Sequence, residues 1–324
     1  LKTQRDFWIS VMRLFKKKPS FTKQLAITPP TPQAGRSGVA IVACVKNEGR
    51  YIGEWLQFHR AVGVAHFYLY DDGSSDDTVD IARSLLDRDA LTVVPWAGRM
   101  IDMRSDNMLN SQSVAFAHGI LNFGGRYRHM AFIDVDEFLL PKRGDSLDGA
   151  LEGAKGFPNI SLPWHMFATS GHKTRPSGPV LRNYTMRGAD PMSRLKNARN
   201  FKCIVDPCEV SEVSIHHFST RAHGENTAND RGAVFARKDR SEPDFYSSQF
   251  IQLNHYYTKS EQDLREKLER GSVAPQSRER HHDQIMTGVR NIESNQVEDL
   301  AMVEFLDRTG ISLSADESSS SKRA

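Results

Sequence analysis

The chain has 324 residues, 39% of them hydrophobic, enough for one large core with tails. Its 43 Lys and Arg against 40 Asp and Glu leave a formal charge of +3, too even a balance to argue for nucleic-acid binding, though a local basic pocket for phosphates remains allowed. Three cysteines, Cys44, Cys203 and Cys208, make neither an even disulfide framework nor a four-ligand zinc set, which suits a reducing cytoplasm.

No run approaches the roughly 18 apolar residues of a spanning helix, and nothing near the start has the core of a signal peptide, so a soluble or peripheral protein is expected. The chain opens on Leu1, not Met, and that expectation covers only the residues present. Residues 5–18 set Phe7, Val11, Leu14 and Phe15 at helical spacing beside Arg13, Lys16, Lys17 and Lys18. Two readings stand for this stretch: a basic amphipathic segment on the anionic inner face of a membrane, or a solvated lead-in packed loosely on the domain. Pro29 to Gly38 reads as a linker and Ser318 to Ala324 as a disordered tail. The expected organisation is a lead-in and linker over 1–35, a single α/β domain over 36–310 and a tail over 311–324.

Val39 to Val45 is an unbroken apolar run rich in β-branched residues, the mark of a central parallel strand covered on both faces. After Lys46-Asn47-Glu48-Gly49, the recurrence of Trp55, Phe58, His59 and Val62 predicts an amphipathic helix ending near Gly63. A second strand over His66 to Tyr70 runs into Asp71-Asp72-Gly73-Ser74-Ser75-Asp76-Asp77, where Ser74 and Asp77 have capping-box spacing for a helix through Leu86. Leu91 to Trp96 is a third strand, Ser111 to Phe123 a helix, and His129 to Ile133 a strand stopping at Asp134-Val135-Asp136-Glu137. The alternation predicts a mostly parallel sheet with helices on both faces. Beyond Pro141 the pattern fades, except that Ser260-x-x-Asp263 opens a helix carrying Leu264 and Leu268 and closed by Gly271.

Ligands of open α/β sheets bind at the carboxyl ends of the strands. Those ends carry Lys46-Asn47-Glu48, Asp71-Asp72 and Asp134-Val135-Asp136. Asp76 and Asp77 suit turn formation and helix capping. Two carboxylates closing a buried strand repel each other unless a cation or hydrogen-bond donors compensate, and hard oxygen ligands suit Mg²⁺ or Mn²⁺ bridging to substrate phosphates.

Val45-Lys-Asn-Glu48, Glu54-Trp55, Gly63-Val64, Phe67-x-x-Tyr70-Asp-Asp-Gly-Ser-Ser-Asp76 and Asp134-Val-Asp-Glu-Phe-Leu139 resemble successive blocks of inverting GT-A glycosyltransferases related to families 2 and 92. Later blocks extend the match to the family 92-like branch: Trp164-x-x-Phe167-x-x-Ser170-Gly-His172, Lys202-x-Ile204-Val205, His216-His217-Phe218, and Asn254-His-Tyr-Tyr-Thr-Lys-Ser260 with Lys267-x-x-Arg270-Gly271. The resemblance covers roughly residues 38–272 and implies a GT-A fold, a nucleotide-sugar donor with UDP as first guess, a carbohydrate or glycoconjugate acceptor, and Mn²⁺ or Mg²⁺.

By position it implies that Val45, Glu48 and Asp72 contact the nucleotide and that Asp136 meets the metal. Asp134 would lie nearer the ribose or the ion. A late His would complete the metal site, His255 with His216 and His217 as competitors, and Lys259 would sit on the diphosphate. The leaving diphosphate gains negative charge, which an ion and a Lys stabilise. An acceptor hydroxyl needs a carboxylate base. Glu209 is the chosen candidate, with Glu212 and Asp206 beside it. A nucleotidyltransferase lacks its glycine-rich first loop here. A metal-dependent hydrolase and a non-catalytic carbohydrate-binding protein remain as alternatives, separable by product analysis and by metal-dependent nucleotide binding.

Overall fold

The apolar run becomes strand β1 (Val39–Val45), paired with a parallel strand at each edge and buried on both faces by two apolar layers. The computed structural model describes residues 21–270 and 278–313, with side-chain surroundings for 21–269 and 282–313. The expectations for residues 5–18, for Gly271 and for the end of the tail lie outside the described residues.

From β1 the chain passes through helix α1 (Ile52–Ala61) to β2 (Val64–Asp71), α2 (Thr78–Leu85) and β3 (Leu91–Pro95). Helix α3 (Ser111–Phe123) then returns it to β4 (His129–Phe132) on the other edge of β1. The order β3-β2-β1-β4 is parallel throughout. Alternation along β1 divides its side chains between two apolar layers. Val39, Ile41, Ala43 and Val45 join Trp55 and Phe58 of α1, whereas Ala40 and Val42 join Tyr68, Tyr70, Phe116 and Ile120 on the α3 side.

Beyond Pro141 the sheet turns mixed. The long strand β6 (Asn159–Phe167) follows β5 (Glu137–Pro141), and β7 (Met186–Gly188) pairs with the end of β6. Strand β8 (Phe201–Val205) runs antiparallel between β4 and the first half of β6 and leads to β9 (Val210–Val213). Strand β10 (Ile251–Tyr256) lies parallel to the second half of β6 and antiparallel to β5. Helices α4 (Glu261–Arg270), α5 (Arg278–Glu293) and α6 (Ala301–Thr309) follow, and Met302, Phe305 and Leu306 of α6 pack into the α1 layer.

Local signals behave mostly as the residues dictate. The box at α4 forms, with Asp263 N–H donating to Ser260 Oγ at 3.1 Å and Ser260 N–H to Asp263 Oδ2 at 3.2 Å. The box expected from Ser74 and Asp77 does not: Asp77 makes no side-chain cap, and Asp76 accepts from Thr78 N–H at 3.1 Å instead. Ser74 is drawn away because its hydroxyl accepts the Asn47 amide at 3.0 Å and its own amide donates to Asp71 Oδ1 at 3.0 Å. Gly73 takes φ +76 inside this turn, a conformation that only glycine adopts without cost. Among the described residues no helix is long and apolar enough to cross a membrane.

Candidate active site

In the order β3-β2-β1-β4 the chain reverses direction across the sheet at β1, so the carboxyl ends of β1 and β4 diverge and leave a crevice. Lys46, Asn47 and Glu48 leave β1 there, and Asp134, Val135 and Asp136 leave β4. The wall opposite is β10, held against β5 in a register that sets His255 across from Glu137. The Tyr256 amide donates to the Asp136 carbonyl at 2.8 Å and fixes the acidic turn to the strand carrying His255.

Asp136 Oδ1 lies 3.4 Å from His255 Nε2, and its other oxygen lies 3.3 Å from Lys267 Nζ on α4. Burial opposes the charged form of Asp136, yet His255 and Lys267 hold its carboxyl well below the usual range. Burial lowers His255 from its ordinary value against the pull of Asp136. Lys267 also donates to the Tyr257 carbonyl at 3.0 Å and stands 4.2 Å over the Tyr257 ring. Lys259 is buried, with its ammonium 4.2 Å from the Tyr51 ring centroid. Burial lowers its pKa while Asp136 and Glu48 pull the other way, which places it in the field of both strand ends. Lys259 at φ +52 and Asn47 at φ +54 hold left-handed backbone on opposite walls of the crevice, a conformation non-glycine residues seldom take outside constrained sites.

Asp134 faces elsewhere. Its Oδ2 accepts from Lys202 Nζ at 2.7 Å and its Oδ1 from Gln112 Nε2 at 2.9 Å. Lys202 rises from the middle of β8, fully buried, and also lies 3.5 Å from Glu137 Oε2. Burial would lower the Lys202 pKa, but Asp134 and Glu137 raise it, so the ammonium stays charged. At the end of β2, Asp72 receives both Arg99 Nη atoms at 2.7 and 3.0 Å and lies 3.4 Å from Lys46 Nζ. Its amide donates to the Val45 carbonyl at 2.9 Å, which ties the ends of β1 and β2 together.

The structure thus brings Val45, Glu48, Asp72, Asp134, Asp136, His255 and Lys259 to one edge of the sheet. Glu209 is not with them. Strand β8 runs from Cys203 opposite Phe132 to Val205 opposite Met130, so the residues after it reach the amino end of β4. There Arg36 holds Asp206 at 2.6 Å, Glu209 pairs with Arg221 at 3.3 Å, and Glu212 accepts from Ser219 at 2.8 Å. The antiparallel run of β8 carries all three base candidates to the wrong end of the sheet. His216 Nδ1 faces the Phe201 carbonyl at 3.0 Å, and the acidic turn meets His255 instead.

Lys202, Lys267, Gln112 and Arg99 were not among the expected site residues. Lys202 alone carried a signal of its own, a lysine inside the apolar run Phe201 to Val205, which burial makes costly unless carboxylates compensate it.

A divalent ion can be tested against these donors. Asp136 Oδ1 and His255 Nε2, 3.4 Å apart, are close to the ~3 Å separation of neighbouring ligands on an octahedral ion with ~2.1 Å bonds. His255 Nδ1 is buried without a hydrogen-bond partner and faces the equally orphaned Glu137 Oε1 at 3.9 Å, the outer-shell pairing that metal-bound histidines use. These two donors fit the ion. The third expected ligand, Asp134, is turned to Lys202 and Gln112, and among the described residues no trio of His, Cys, Asp and Glu converges on one point.

Fold and site together define an α/β protein with an acidic turn and buried lysines at the carboxyl ends of its parallel strands. The sequence pattern of glycosyltransferase family 92 matches residues 40–292, and the chain belongs to that family. A family 92 protein of Ricinus communis is 29% identical over 205 residues, 59% of this chain and 34% of the relative. One from Oryza sativa subsp. japonica is 27% identical over 190 residues, 56% of this chain and 29% of the relative. The chain therefore spans about a third of the length of these curated relatives. Among solved structures, glucosyl-3-phosphoglycerate synthase from Mycobacterium tuberculosis in complex with Mn²⁺, UDP and glucosyl-3-phosphoglycerate aligns with a TM-score of 0.28. It shows 17% identity, over 46% of this chain and 52% of the other.

Proposed function

We propose that this chain transfers a sugar from a nucleotide-diphosphate donor, UDP in the first instance, to a hydroxyl of a carbohydrate or glycoconjugate, with inversion and with Mn²⁺ or Mg²⁺. The observation that carries the reading is the charge pattern of one crevice: an Asp136–His255 donor pair beside the ammonium groups of Lys267, Lys259 and Lys202. When bound, a divalent ion supplies Lewis-acid charge to the diphosphate. Asp136 and His255 would hold it. Lys267 and Lys259 stabilise the leaving diphosphate, whose negative charge grows most as the glycosidic bond breaks. Asp72, presented on the tied ends of β1 and β2, reads the base once Arg99 yields it.

The acceptor enters beside His255 in this reading. Met166 is the cross-strand neighbour of His255, so both side chains point to one face of the sheet, and Met166 lines a cleft of about 180 Å³ with Ile292, Asn291 and Ser294. Apolar floor and amide rim suit a sugar ring. Among the described residues Asp190 is the one carboxylate lining this cleft, and in this reading it replaces Glu209 as the base that takes the acceptor proton. The apolar cluster running from Val39 to Leu306 supports residues 36–310 as one folding unit, and the three free cysteines support a reducing, cytoplasmic setting. Contact of residues 5–18 with the inner membrane face belongs to the same proposal.

Calorimetric titration of the chain with UDP, with and without Mn²⁺, tests the reading. UDP binding should require the ion and should vanish in Asp136→Ala while the fold is retained. Equal UDP affinity in the presence of a chelator would remove the divalent ion from the proposal.

A further inference from the structure

Glu137 has no solvent exposure, and its two oxygens face different partners. Oε2 accepts the Asp134 amide at 2.9 Å and lies 3.5 Å from the Lys202 ammonium. Oε1 has no hydrogen-bond partner, and across 3.9 Å it faces His255 Nδ1, which is likewise buried and unpartnered. The far side of the ring presents Nε2 to Asp136 Oδ1 at 3.4 Å. Trp164, with its ring centroid 4.4 Å away, and Tyr257, at 5.3 Å, fix the plane of the imidazole. The ring is therefore strung between two carboxyl groups. Closing the Glu137 contact to a hydrogen bond of about 3 Å takes a shift of about 1 Å.

We infer that Glu137 is a positioning residue that sets the tautomer of His255, accepting an Nδ1–H so that the Nε2 lone pair faces the space beside Asp136. A neutral imidazole carries a single N–H, and an Nε2 lone pair offered to a cation requires that hydrogen to sit on Nδ1. Glu137 Oε1 is the acceptor placed to keep it there. The inference rests on the divalent-ion reading above and assigns a task to a side chain that touches neither nucleotide nor sugar.

Glu137→Gln tests it sharply. The two donors on the Oε2 side, the Asp134 amide and the Lys202 ammonium, claim the amide oxygen, so the NH₂ group turns to His255 Nδ1. That nitrogen must then accept, which moves the ring hydrogen to Nε2, where it blocks ligation. Free Mn²⁺ would be counted by electron paramagnetic resonance while the full chain is titrated in the presence of UDP. Glu137→Gln should weaken Mn²⁺ binding by about 10- to 100-fold. His255→Ala should do at least as much, and the double variant should bind no more weakly than His255→Ala alone, because both changes remove one interaction.

Wild-type affinity in a folded Glu137→Gln protein would overturn the inference, as would a further loss in the His255→Ala background. Should Glu137→Gln fail to fold, nitrogen-15 histidine spectra of the wild-type chain with Mg²⁺ and UDP pose the same question. A hydrogen on Nδ1 of His255 supports the assignment and one on Nε2 overturns it. A wild-type chain that binds UDP equally well without any divalent ion would sink the metal reading and this inference together. Mn²⁺ binding indifferent to Glu137→Gln sinks the inference alone.

Discussion

Replacing Lys202 with Met removes one ammonium from the centre of the acidic turn and leaves its volume nearly filled. Lys202 is 1% exposed and compensates Asp134 at 2.7 Å and Glu137 at 3.5 Å. Breaking a buried pair by deleting one partner costs about 3–5 kcal/mol, since a charge is left uncompensated. Two features push the figure toward the lower end. The Asp134 side chain is 38% exposed and can turn to water. Glu137, which burial already pushes above the ordinary carboxyl range against the pull of Lys202, can take up a proton. A loss of about 3 kcal/mol follows, and at about 2–4 °C per kcal/mol for a chain of this size it lowers Tm by about 6–12 °C. Differential scanning calorimetry at pH 7 measures it directly. Adding Glu137→Gln to Lys202→Met should recover a substantial part of the loss, because the deepest of the uncompensated carboxyls is then gone. A Tm within about 2 °C of wild type for Lys202→Met would refute the reasoning and show that the ammonium is solvated in the folded protein.

Stability should fall on acidification well before the carboxylates titrate. His59 is wholly buried, accepts the Leu139 amide at Nε2 and faces the Trp55 carbonyl with Nδ1, a pair of contacts that only the neutral ring satisfies, and burial lowers its pKa from 6.5 to about 3. A depressed folded pKa leaves its contribution intact above the unfolded value and removes it as pH falls toward the folded one. Denaturant unfolding at pH 5 should thus show about 2 kcal/mol less stability from His59 alone than at pH 7, and a pH-independent value would contradict this. Asp72→Ala should weaken UDP binding by about 1–3 kcal/mol in calorimetry. Its Tm should hardly move, since the Arg99–Asp72 pair is partly exposed. Asp190→Asn should slow sugar transfer to a saccharide acceptor by about 10²- to 10⁴-fold while Mn²⁺-dependent UDP affinity stays at the wild-type value, and undiminished transfer would return Asp190 to the surface.

The first half of the fold and its acidic turn were legible because the signals are local. A short apolar run as rich in β-branched residues as Val39 to Val45, bounded by polar breaks, reads as a strand covered on both faces, and Asp134 and Asp136 follow closely on a strand whose neighbours are set by short connections. The Ser260–Asp263 box was legible for the same reason, its two partners being three residues apart. The Ser74–Asp77 spacing was equally local yet misleading, because Asn47, from the end of another strand, claims the Ser74 hydroxyl.

Distance along the chain decided the remainder. Whether His255 or His216 meets Asp136 depends on β10 pairing with β5 across more than a hundred residues, and the spacing of histidines holds no trace of that register. The direction of β8 sends Asp206, Glu209 and Glu212 to the amino end of the sheet while lifting Lys202, earlier on the same strand, into the acidic turn. One reversal of strand direction therefore removed an expected base and supplied an unexpected cation. The sequence by itself determined the chemistry available, carboxylates closing apolar strands with histidine and lysine to answer them, because apolar periodicity and local capping act over a few residues. Which of those groups meet was left to tertiary structure, because strand register and direction follow from the packing of the whole sheet and from no single segment.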